Sequence, residues 1–254
     1  MEIITSKKNK TIQSLKSLNT QKGRLEQGMF LVEGEHMVLE ALKSNYRLET
    51  LICDVTKAEK YSYLIDKSDN CIFAQSDVFN SICDTRTPQG ICAALSNFRS
   101  EEKHGTKIVM LNAVQDPGNV GTIVRTADAA GFSDVIMDDA CADIYNPKTL
   151  RSTMGSIFHI NCHRTSSLEN VINKIKQEDY SIYATAIGGP NYFEREPDRE
   201  NIAIIFGNEG NGVDKKLMDL ATNIYSLPMV GQSESLNVAV ACGIMIYDIM
   251  RREV

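Results

Sequence analysis

The chain has 254 residues, of which 43% are hydrophobic and 24% charged, and its formal net charge is −6. These fractions are ordinary for a globular protein, and the length allows one large domain or two smaller ones. The negative net charge excludes a chain that is basic throughout. No apolar run reaches the roughly 18–20 residues of a membrane helix, and the N-terminal MEIITSKKNK lacks the apolar centre of a secretory signal.

The chain begins with a basic segment. Residues 10–24 are predicted to be helical, and the first 24 residues contain a single acid, Glu2. The basic side chains of this segment are Lys7, Lys8, Lys10, Lys16, Lys22 and Arg24. Such a cluster could contact nucleic acid, but composition alone favours a solvated helix face.

The rest of the first part alternates between strands and helices. Strands are predicted at Met29–Val32, Leu48–Cys53, Cys71–Ala74 and Gly90–Leu95, and helices at Glu35–Lys43, around Lys57–Asp66 and at Ser76–Cys83. This alternation predicts a small α/β domain. The polar segment Asn97–Lys107 shows no apolar periodicity and is predicted to be a linker, which divides the chain into domains 1–98 and 105–254.

The second part alternates more regularly. Strands are predicted at Ile108–Leu111, Asp134–Met137, Ile182–Ala186, Ile202–Phe206 and up to Leu227, and helices at Val120–Ala130, from Pro147, and at Ser167–Gln177, Val213–Ala221 and Leu236–Arg252. Gly131 is expected just after one helix, Pro147 at the start of another, and Ser166 with Glu169 as a capping box. The nearly continuous apolar strands are typical of an open parallel α/β sheet.

The seven cysteines are dispersed without a C-x-x-C pair, which predicts reduced thiols and a cytoplasmic location. The stretch HINCH contains His159, Cys162 and His163, which are possible metal ligands. Because these residues fall in a short strand-like segment, we expect no metal site.

Three loops at strand ends concentrate glycine and polar residues: NAVQDPGNVGTIVRTADAAGF (112–132), GNEGNGV (207–213) and PMVGQSESLN (228–237). Ligands of open α/β sheets bind at the carboxyl ends of the strands. The polar candidates are Asn119, Arg125, Glu209, Ser235 and Asn237. Each of these residues also has a purely structural explanation, and Asn119 and Ser235 could serve as helix caps. Because all five lie at strand ends, we favour a functional site over five separate structural roles.

The glycine order G-x-x-G-x-G differs from the dinucleotide fingerprint, and no P-loop motif occurs, so a nicotinamide-dependent oxidoreductase or P-loop enzyme is not expected. The three loops instead resemble the motifs of the SpoU (TrmH-like) branch of the SPOUT RNA methyltransferases. The matching segments are DPGNVGTIVRTADAAGF, IIFGNEGNGV and LPMVGQSESLNVAVACGI. Upstream, ITSKKNKTIQSLKSL, FLVEGEHMVLEAL and RTPQGICAAL resemble the ribosomal-protein-like substrate-binding domain of many such enzymes.

The resemblance implies a C-terminal open parallel sheet with a trefoil knot and a smaller N-terminal α/β domain. It implies S-adenosyl-L-methionine as cofactor, a ribose 2′-hydroxyl of structured RNA as acceptor, and a homodimer. The implied catalytic residues are Asn119, Arg125, Glu209, Ser235 and Asn237, and the implied cofactor contacts are Ala186, Gly207, Gly210, Leu227, Met229 and Leu236.

A methyl transfer to a ribose hydroxyl requires alignment of the reactants and removal of a proton. Arg125 is an awkward base because guanidinium stays protonated up to about pH 12, so we expect it to grip a phosphate or the developing oxyanion. Ser235 and Asn237 would orient the hydroxyl and Arg125. Glu209 is either a proton acceptor or a partner of Arg125.

With an RNA substrate, the N-terminal cluster becomes a candidate phosphate-binding surface, for which we select Lys7, Lys8, Lys10 and Arg24, together with Arg125. Ribosomal RNA is the expected substrate. The alternatives are a tRNA 2′-O-methyltransferase, methylation of a base nitrogen, and a non-catalytic RNA-binding factor for ribosome assembly.

Overall fold

A computed structural model describes residues 3–96 and 104–253. Residues 97–103 of the predicted linker lie outside the described residues. Among the described residues, contacts divide the chain into two units. The first contains residues 3–96 together with Tyr145–Phe158, and the second contains residues 104–144 and 159–253. The predicted domains 1–98 and 105–254 differ from these units in the segment Tyr145–Phe158 and stay a prediction.

The described strands and helices follow each other in a largely alternating order. The strands are β1 (Ile3–Ile4), β2 (Met29–Glu33), β3 (Arg47–Asp54), β4 (Cys71–Ala74), β5 (Ile91–Ser96), β6 (Lys107–Leu111), β7 (Asp134–Asp138), β8 (Asn161–Thr165), β9 (Ser181–Thr185), β10 (Ile202–Phe206) and β11 (Asn223–Tyr225). The helices are α1 (Lys10–Ser17), α2 (Gln21–Gln27), α3 (Glu35–Lys43), α4 (Ser62–Ile65), α5 (Ser76–Asn80), α6 (Pro117–Ala129), α7 (Pro147–Thr153), α8 (Leu168–Lys176), α9 (Lys215–Leu220) and α10 (Val238–Glu253). Short 3-10 turns lie at Val55–Lys57, Ser156–Phe158 and Tyr192–Glu194.

The first unit contains a mixed sheet in the order β1-β4-β3-β5-β2, with β3 and β2 antiparallel to β5. The segment Tyr145–Phe158 packs in this unit, where the Phe158 ring contacts Tyr46 edge-on and Arg151 forms an ion pair with Asp84 at 2.8 Å. Local sequence patterns could not predict this, because the segment is far along the chain from its neighbours.

The predicted basic helix 10–24 is two helices. The helix does not continue through Thr20, because the Thr20 hydroxyl accepts the Gly23 N–H at 3.1 Å and so caps the start of α2. Gly23 is needed at this point, since a Cβ there would lie 2.1 Å from the Ser17 carbonyl oxygen.

The second unit contains a parallel sheet in the order β11-β9-β10-β6-β7-β8. β10 is buried along its whole length, as its apolar sequence predicts. The apolar residues of α8 and α9 pack with the sheet in one core cluster, and α10 packs against α6, where a Cβ added at Gly243 would lie 3.5 Å from Thr126. The predicted open parallel α/β sheet is confirmed.

The predicted ends of helices have mixed outcomes. Pro147 lies in the first turn of α7, and Gly131 follows α6 with a positive φ of 74°, both as predicted. The capping box at Ser166 is wrong, because Ser167 caps α8 by accepting the Asn170 N–H. No helix among the described residues has the length and apolar character needed to cross a membrane.

Candidate active site

The three predicted loops follow β6, β10 and β11, which together with β9 are four adjacent strands of the second sheet. β11, β9, β10 and β6 are neighbours in that order, and all are parallel. Their carboxyl ends therefore meet at one edge, where ligands of open α/β sheets bind. The sequence-predicted candidate residues of the methyltransferase half lie in the loops at this edge or in the helices that follow them.

The first loop leads from β6 into α6. Asp116, and not Asn119, caps this helix, because Asp116 Oδ1 accepts the Asn119 N–H at 2.9 Å. The expected cap at Asn119 is therefore wrong. Since Asn119 lies inside the first turn, its side chain has no capping role and is available for other contacts.

The second loop, after β10, folds back on itself. Gly207 makes this possible, since a Cβ would lie 2.0 Å from the Gly212 carbonyl carbon. Asn208 and Gly212 exchange two backbone hydrogen bonds of 2.9 Å, and the Asn208 side chain donates to the Ala113 carbonyl at 2.9 Å. Asn208 thus fastens the second loop to the first.

Asn112 has a similar scaffolding role. Its amide nitrogen donates to Asp138 at 2.9 Å and Asp214 at 3.1 Å, and its oxygen accepts the Asp214 N–H. Sequence reasoning missed both Asn112 and Asn208. The available signal is an asparagine one or two residues after the end of each strand, where a side-chain amide can bond to neighbouring backbone.

A line of hydrogen bonds joins the three loops. Asn119 Nδ2 donates to Glu209 Oε1 at 2.9 Å, and Asn237 Nδ2 donates to Asn119 Oδ1 at 3.0 Å. Burial alone would raise the pKa of Glu209, but hydrogen bonds from Asn119 and from backbone N–H groups outweigh it and lower that pKa. Glu209 is therefore held as a carboxylate.

The third loop ends at a different cap from the one expected. α10 begins at Val238, and Asn237 Oδ1 accepts the N–H groups of Ala239 at 2.9 Å and Val240 at 3.3 Å. Asn237, not Ser235, is the N-cap, so the capping role expected of Ser235 is wrong. The physical reason is that α10 begins at Val238, two residues later than the predicted start at Leu236, so Asn237 and not Ser235 precedes its first free N–H groups.

Arg125 and Ser235 lie outside this line of hydrogen bonds. Arg125 is six residues beyond Asn119 on α6, about 9 Å along the helix axis. Its side chain is exposed and makes no hydrogen bond or ion pair with any described residue. The Ser235 hydroxyl is likewise exposed and unbonded within the described part of the chain. The structure therefore brings together three of the five predicted catalytic residues.

The predicted cofactor contacts surround the same edge. The Ala186 N–H donates to the Tyr225 carbonyl at 3.0 Å, which holds the end of β9 beside the start of the third loop. β11 ends at Tyr225 and not at Leu227, because the Ser226 N–H bonds to the Pro190 carbonyl of the neighbouring loop. Gly207 is buried, Ala186 and Leu227 are half-buried, and Gly210, Met229 and Leu236 are exposed.

Two further apolar residues, which sequence reasoning missed, are exposed at this edge of the sheet, one in the segment after β9 and one in the third loop. Ile187 is 79% and Val230 98% exposed. Exposed apolar side chains next to glycine-rich backbone suit a ligand with both an aromatic base and polar groups. The residues present therefore fit S-adenosylmethionine.

A cavity of about 630 Å³ lies elsewhere, along the edge strand β11. Its lining includes Glu194, Arg195 and Tyr225 and none of the predicted site residues. The Arg195 guanidinium there is paired with Asp198 at 2.7 Å and Asp248 at 2.6 Å. These ion pairs account for Arg195 as a structural residue, so the hydrogen-bonded loops remain the candidate site.

The N-terminal basic residues divide into two groups. Lys8 and Lys10 are exposed, and Lys7 is exposed although it pairs with Asp77 at 3.3 Å. Arg24 is buried, and its guanidinium donates to the Leu18 carbonyl at 2.7 Å. This corrects the selection of Arg24 for RNA binding, because its guanidinium is directed into the protein.

Residues 106–247 match the SpoU rRNA Methylase family, and residues 9–93 match the MRM3-like substrate binding domain. The chain belongs to the SpoU rRNA methylase family, as its motifs predicted. It is 42% identical to the 23S rRNA (guanosine(2553)-2′-O)-methyltransferase RlmP of Bacillus subtilis, over 97% of this chain and 98% of that protein.

Two further comparisons cover the full length. An uncharacterized tRNA/rRNA methyltransferase of Synechocystis is 31% identical over 98% of this chain and 94% of its own length. The crystal structure of an AdoMet-bound rRNA methyltransferase from Sinorhizobium meliloti is 29% identical, with a TM-score of 0.90 over 100% of this chain and 98% of that one. The similarity therefore extends through both units.

Proposed function

We propose that this protein transfers a methyl group from S-adenosylmethionine to a ribose 2′-hydroxyl in 23S ribosomal RNA. The observation that carries this proposal is the hydrogen-bonded line Glu209–Asn119–Asn237 at the carboxyl edge of a SpoU-family sheet. The 42% identity to the Bacillus subtilis enzyme extends over nearly the whole of both chains, including the substrate-binding half. The proposed target is the guanosine of 23S rRNA that corresponds to guanosine 2553, the nucleotide given in the name of that enzyme.

Bound S-adenosylmethionine supplies an electrophilic methyl group on a sulfonium, so little activation by the protein is needed. The protein must hold the 2′-hydroxyl in line with that methyl group and let the hydroxyl proton leave to solvent water. The proposed cofactor contacts are Ala186, Gly207, Gly210, Leu227, Met229 and Leu236. The exposed apolar residues among them suit the adenine ring, and the backbone N–H groups of the loops suit its polar groups.

Glu209 acts as an anchor in this proposal and not as the proton acceptor. Its lowered pKa makes the carboxylate a weak base at neutral pH. Instead, the carboxylate orients the Asn119 amide, which in turn orients Asn237. Asn119 and Asn237 thereby present fixed polar groups beside the hydroxyl.

Arg125 is the residue that engages RNA. Its guanidinium is exposed and unpaired among the described residues, so it can form two parallel hydrogen bonds to a phosphate or to the developing oxyanion. Ser235, exposed on the third loop, is the proposed second contact to the ribose. Lys7, Lys8 and Lys10 extend the phosphate contacts in the first unit.

A homodimer is the proposed assembly. Val240, Ile244 and Tyr247 recur on one face of α10 at helical spacing and are 50%, 38% and 41% exposed. A second copy of the chain would bury this apolar stripe. Ile244→Glu should convert a dimer into a monomer in sedimentation experiments, whereas Leu25→Glu, at an exposed apolar position of the first unit, should not.

The test is methyl incorporation from labelled S-adenosylmethionine into total RNA from a strain that lacks the gene, followed by mapping of 2′-O-methyl nucleotides. We expect label at one guanosine of 23S rRNA, lost with Arg125→Ala and kept with Thr122→Ala, an exposed neighbour on α6. Label in tRNA alone would show that the substrate is tRNA and not 23S rRNA. Cofactor binding without label in any precursor or mature RNA would favour a non-catalytic RNA-binding factor. The ribosomal substrate also implies the predicted cytoplasmic location.

A further inference from the structure

Two histidines and an aspartate of the second unit converge near the amino ends of the parallel strands. The candidate active site lies at the other ends of the strands, their carboxyl ends. His104 precedes β6, Asp134 is the first residue of β7, and His163 lies in the middle of β8. One ligand atom from each lies within 4.8 Å of the others. We propose that His104, Asp134 and His163 bind a divalent transition-metal ion, with zinc the best fit to the donors.

The distances agree with a shared ion. Asp134 Oδ1 is 3.1 Å from His163 Nε2 and 3.6 Å from His104 Nδ1. Ligand atoms at about 2.0–2.1 Å from a tetrahedral zinc ion lie roughly 3.3 Å from one another. The two observed distances bracket this separation, so one ion could contact all three atoms after small side-chain movements.

Hydrogen bonding alone leaves this cluster incomplete. His104 Nδ1 is buried and makes no hydrogen bond to any described residue, although it faces a carboxylate oxygen. A buried polar atom without a partner is uncommon, and an ion is one of its recognised explanations. A hydrogen bond can join His163 Nε2 to Asp134 Oδ1, which are 3.1 Å apart. His104 Nδ1, 3.6 Å from the same oxygen, is then left without a hydrogen bond.

The surroundings hold the carboxylate in place. Asp134 is fully buried, and its second oxygen accepts the Gly105 N–H at 2.8 Å. The Tyr180 hydroxyl donates to the Gly105 carbonyl and fixes the backbone next to His104. Such supporting hydrogen bonds orient the ligands of metal sites. Oδ1 of Asp134 is therefore directed toward the two imidazoles.

The donor set favours zinc. Two imidazole nitrogens and one carboxylate oxygen are borderline ligands that suit zinc better than magnesium or calcium, which prefer oxygen alone. A water molecule can supply the fourth ligand, because the His104 and His163 side chains keep 13% and 17% of their surface exposed. The ion would fasten the segment before β6 to β7 and β8.

This proposal revises the sequence expectation of no metal site. His159 and Cys162, considered there with His163, are not among the proposed ligands: His159 pairs with Asp128 at 3.2 Å, and the neighbours Cys162 and His163 alternate across β8. The proposed ligands come from three separate strands or strand entries, which a local motif does not reveal.

The experiment uses the full chain without a histidine tag, stripped of metal and then titrated with Zn²⁺ or Co²⁺. We expect one equivalent of zinc per chain, a visible Co²⁺ spectrum of low coordination number, and a higher Tm with zinc. His104→Gln and His163→Gln should each weaken zinc binding at least ~100-fold, since loss of a supporting group alone costs roughly 10- to 100-fold. His159→Gln is the matched control and should bind zinc as the wild type does.

Absence of stoichiometric zinc or Co²⁺ binding by the wild-type chain would overturn the proposal, even if a variant failed to fold. Equal zinc binding by wild type and both ligand variants would also overturn it, because the ion would then lie elsewhere. Circular dichroism of each variant identifies misfolding. These readouts do not depend on methyl transfer, so the outcome is separate from that of the proposed function.

Discussion

The side-chain amide of Asn237 donates to Asn119 Oδ1 at 3.0 Å, although the two residues are 118 positions apart in the chain. Asn237 also caps α10, so one side chain both begins a helix and links the third loop to the first. Because Asn119 in turn donates to Glu209, the orientations of all three side chains depend on one another. Loss of any one of them should disturb the other two.

Asn119→Ala should lower the single-turnover rate by about 100-fold, because small displacements of positioned groups can cost that much. Glu209 and Asn237 would lose their common partner, while the RNA-binding surface would be unchanged. Asn211→Ala, an exposed amide in the second loop, is the control and should leave the rate unaffected. Rates of both variants are measured with saturating RNA and cofactor; a rate for Asn119→Ala close to that of the wild type would contradict the positioning role.

Glu209→Gln should keep the single-turnover rate within about tenfold of wild type, because glutamine still accepts the Asn119 hydrogen bond, whereas a general base contributes roughly 10²- to 10⁴-fold. Glu209→Ala removes the acceptor and should be slower than Glu209→Gln. The rates are compared across roughly pH 6–9, the range in which a general base suited to neutral pH would titrate. Inactivity of Glu209→Gln with intact cofactor binding would instead identify the carboxylate as the proton acceptor.

Arg125→Lys should fail to restore the activity lost in Arg125→Ala, because an ammonium lacks the planar fork that forms two parallel hydrogen bonds. We expect both variants to lose about 10²- to 10³-fold in single-turnover rate, the cost of removing one stabilising donor. Because the Arg125 side chain is exposed, both variants should fold normally, and thermal melting checks this. Near-normal turnover by Arg125→Lys would show that charge alone suffices.

Arg195→Ala should destabilise the protein by about 3–5 kcal/mol, the range for removing one partner of a buried ion pair. Arg195 is buried, its guanidinium bonds to Asp198 and Asp248, and it lies 3.9 Å over the Tyr192 ring. Arg199→Ala is the control, since the exposed pair Arg199–Asp179 should contribute only about 0–1 kcal/mol. Urea denaturation measures both free energies of unfolding, and equal losses would contradict the distinction.

The same network predicts a pH dependence of stability. Burial raises the pKa of Asp248, but hydrogen bonds from Arg251 and Arg195 and the charges of Arg195 and Arg252 outweigh it and lower that pKa below its ordinary value of 3.8. A lowered folded-state pKa stabilises the protein above the unfolded-state value, and this contribution is lost as the pH falls below about 4. The Tm of Asp248→Asn, measured by thermal melting, should therefore fall less between neutral pH and pH values below about 4 than the Tm of the wild type.

The double variant Lys8→Ala with Lys10→Ala should weaken RNA binding. It should also reduce the slope of log K against log salt concentration by about 0.7–0.9 for each phosphate that the protein no longer neutralises. Both lysines are exposed on the first unit. Lys67→Ala, an exposed lysine of the same unit, is the control and should change neither quantity. Affinities are measured at several salt concentrations, and an unchanged slope for the double variant would exclude this surface from the RNA-binding site.

Local patterns predicted several elements with their observed ends. β4, β10 and α3 match the predicted ranges, because a continuous apolar run extends through each of the two strands and helical periodicity through the helix. Helix starts were less predictable. Asn119 and Ser235 were both plausible caps, yet Asp116 and Asn237 cap α6 and α10, since the choice depends on where the preceding loop turns.

By itself, the sequence determined most strands and helices in their order, the α/β class and the family, since these depend on local periodicity and on three contiguous motifs. The short strand β1 and the division of the predicted helix 10–24 into α1 and α2 were not predicted. Only the tertiary structure decided which side chains meet. It joined Asn119 to Glu209 and Asn237, turned Arg24 inward, and gathered His104, Asp134 and His163 at the opposite edge of the sheet. Contacts between residues far apart in the chain follow from strand order and register, which no local pattern of the sequence specifies.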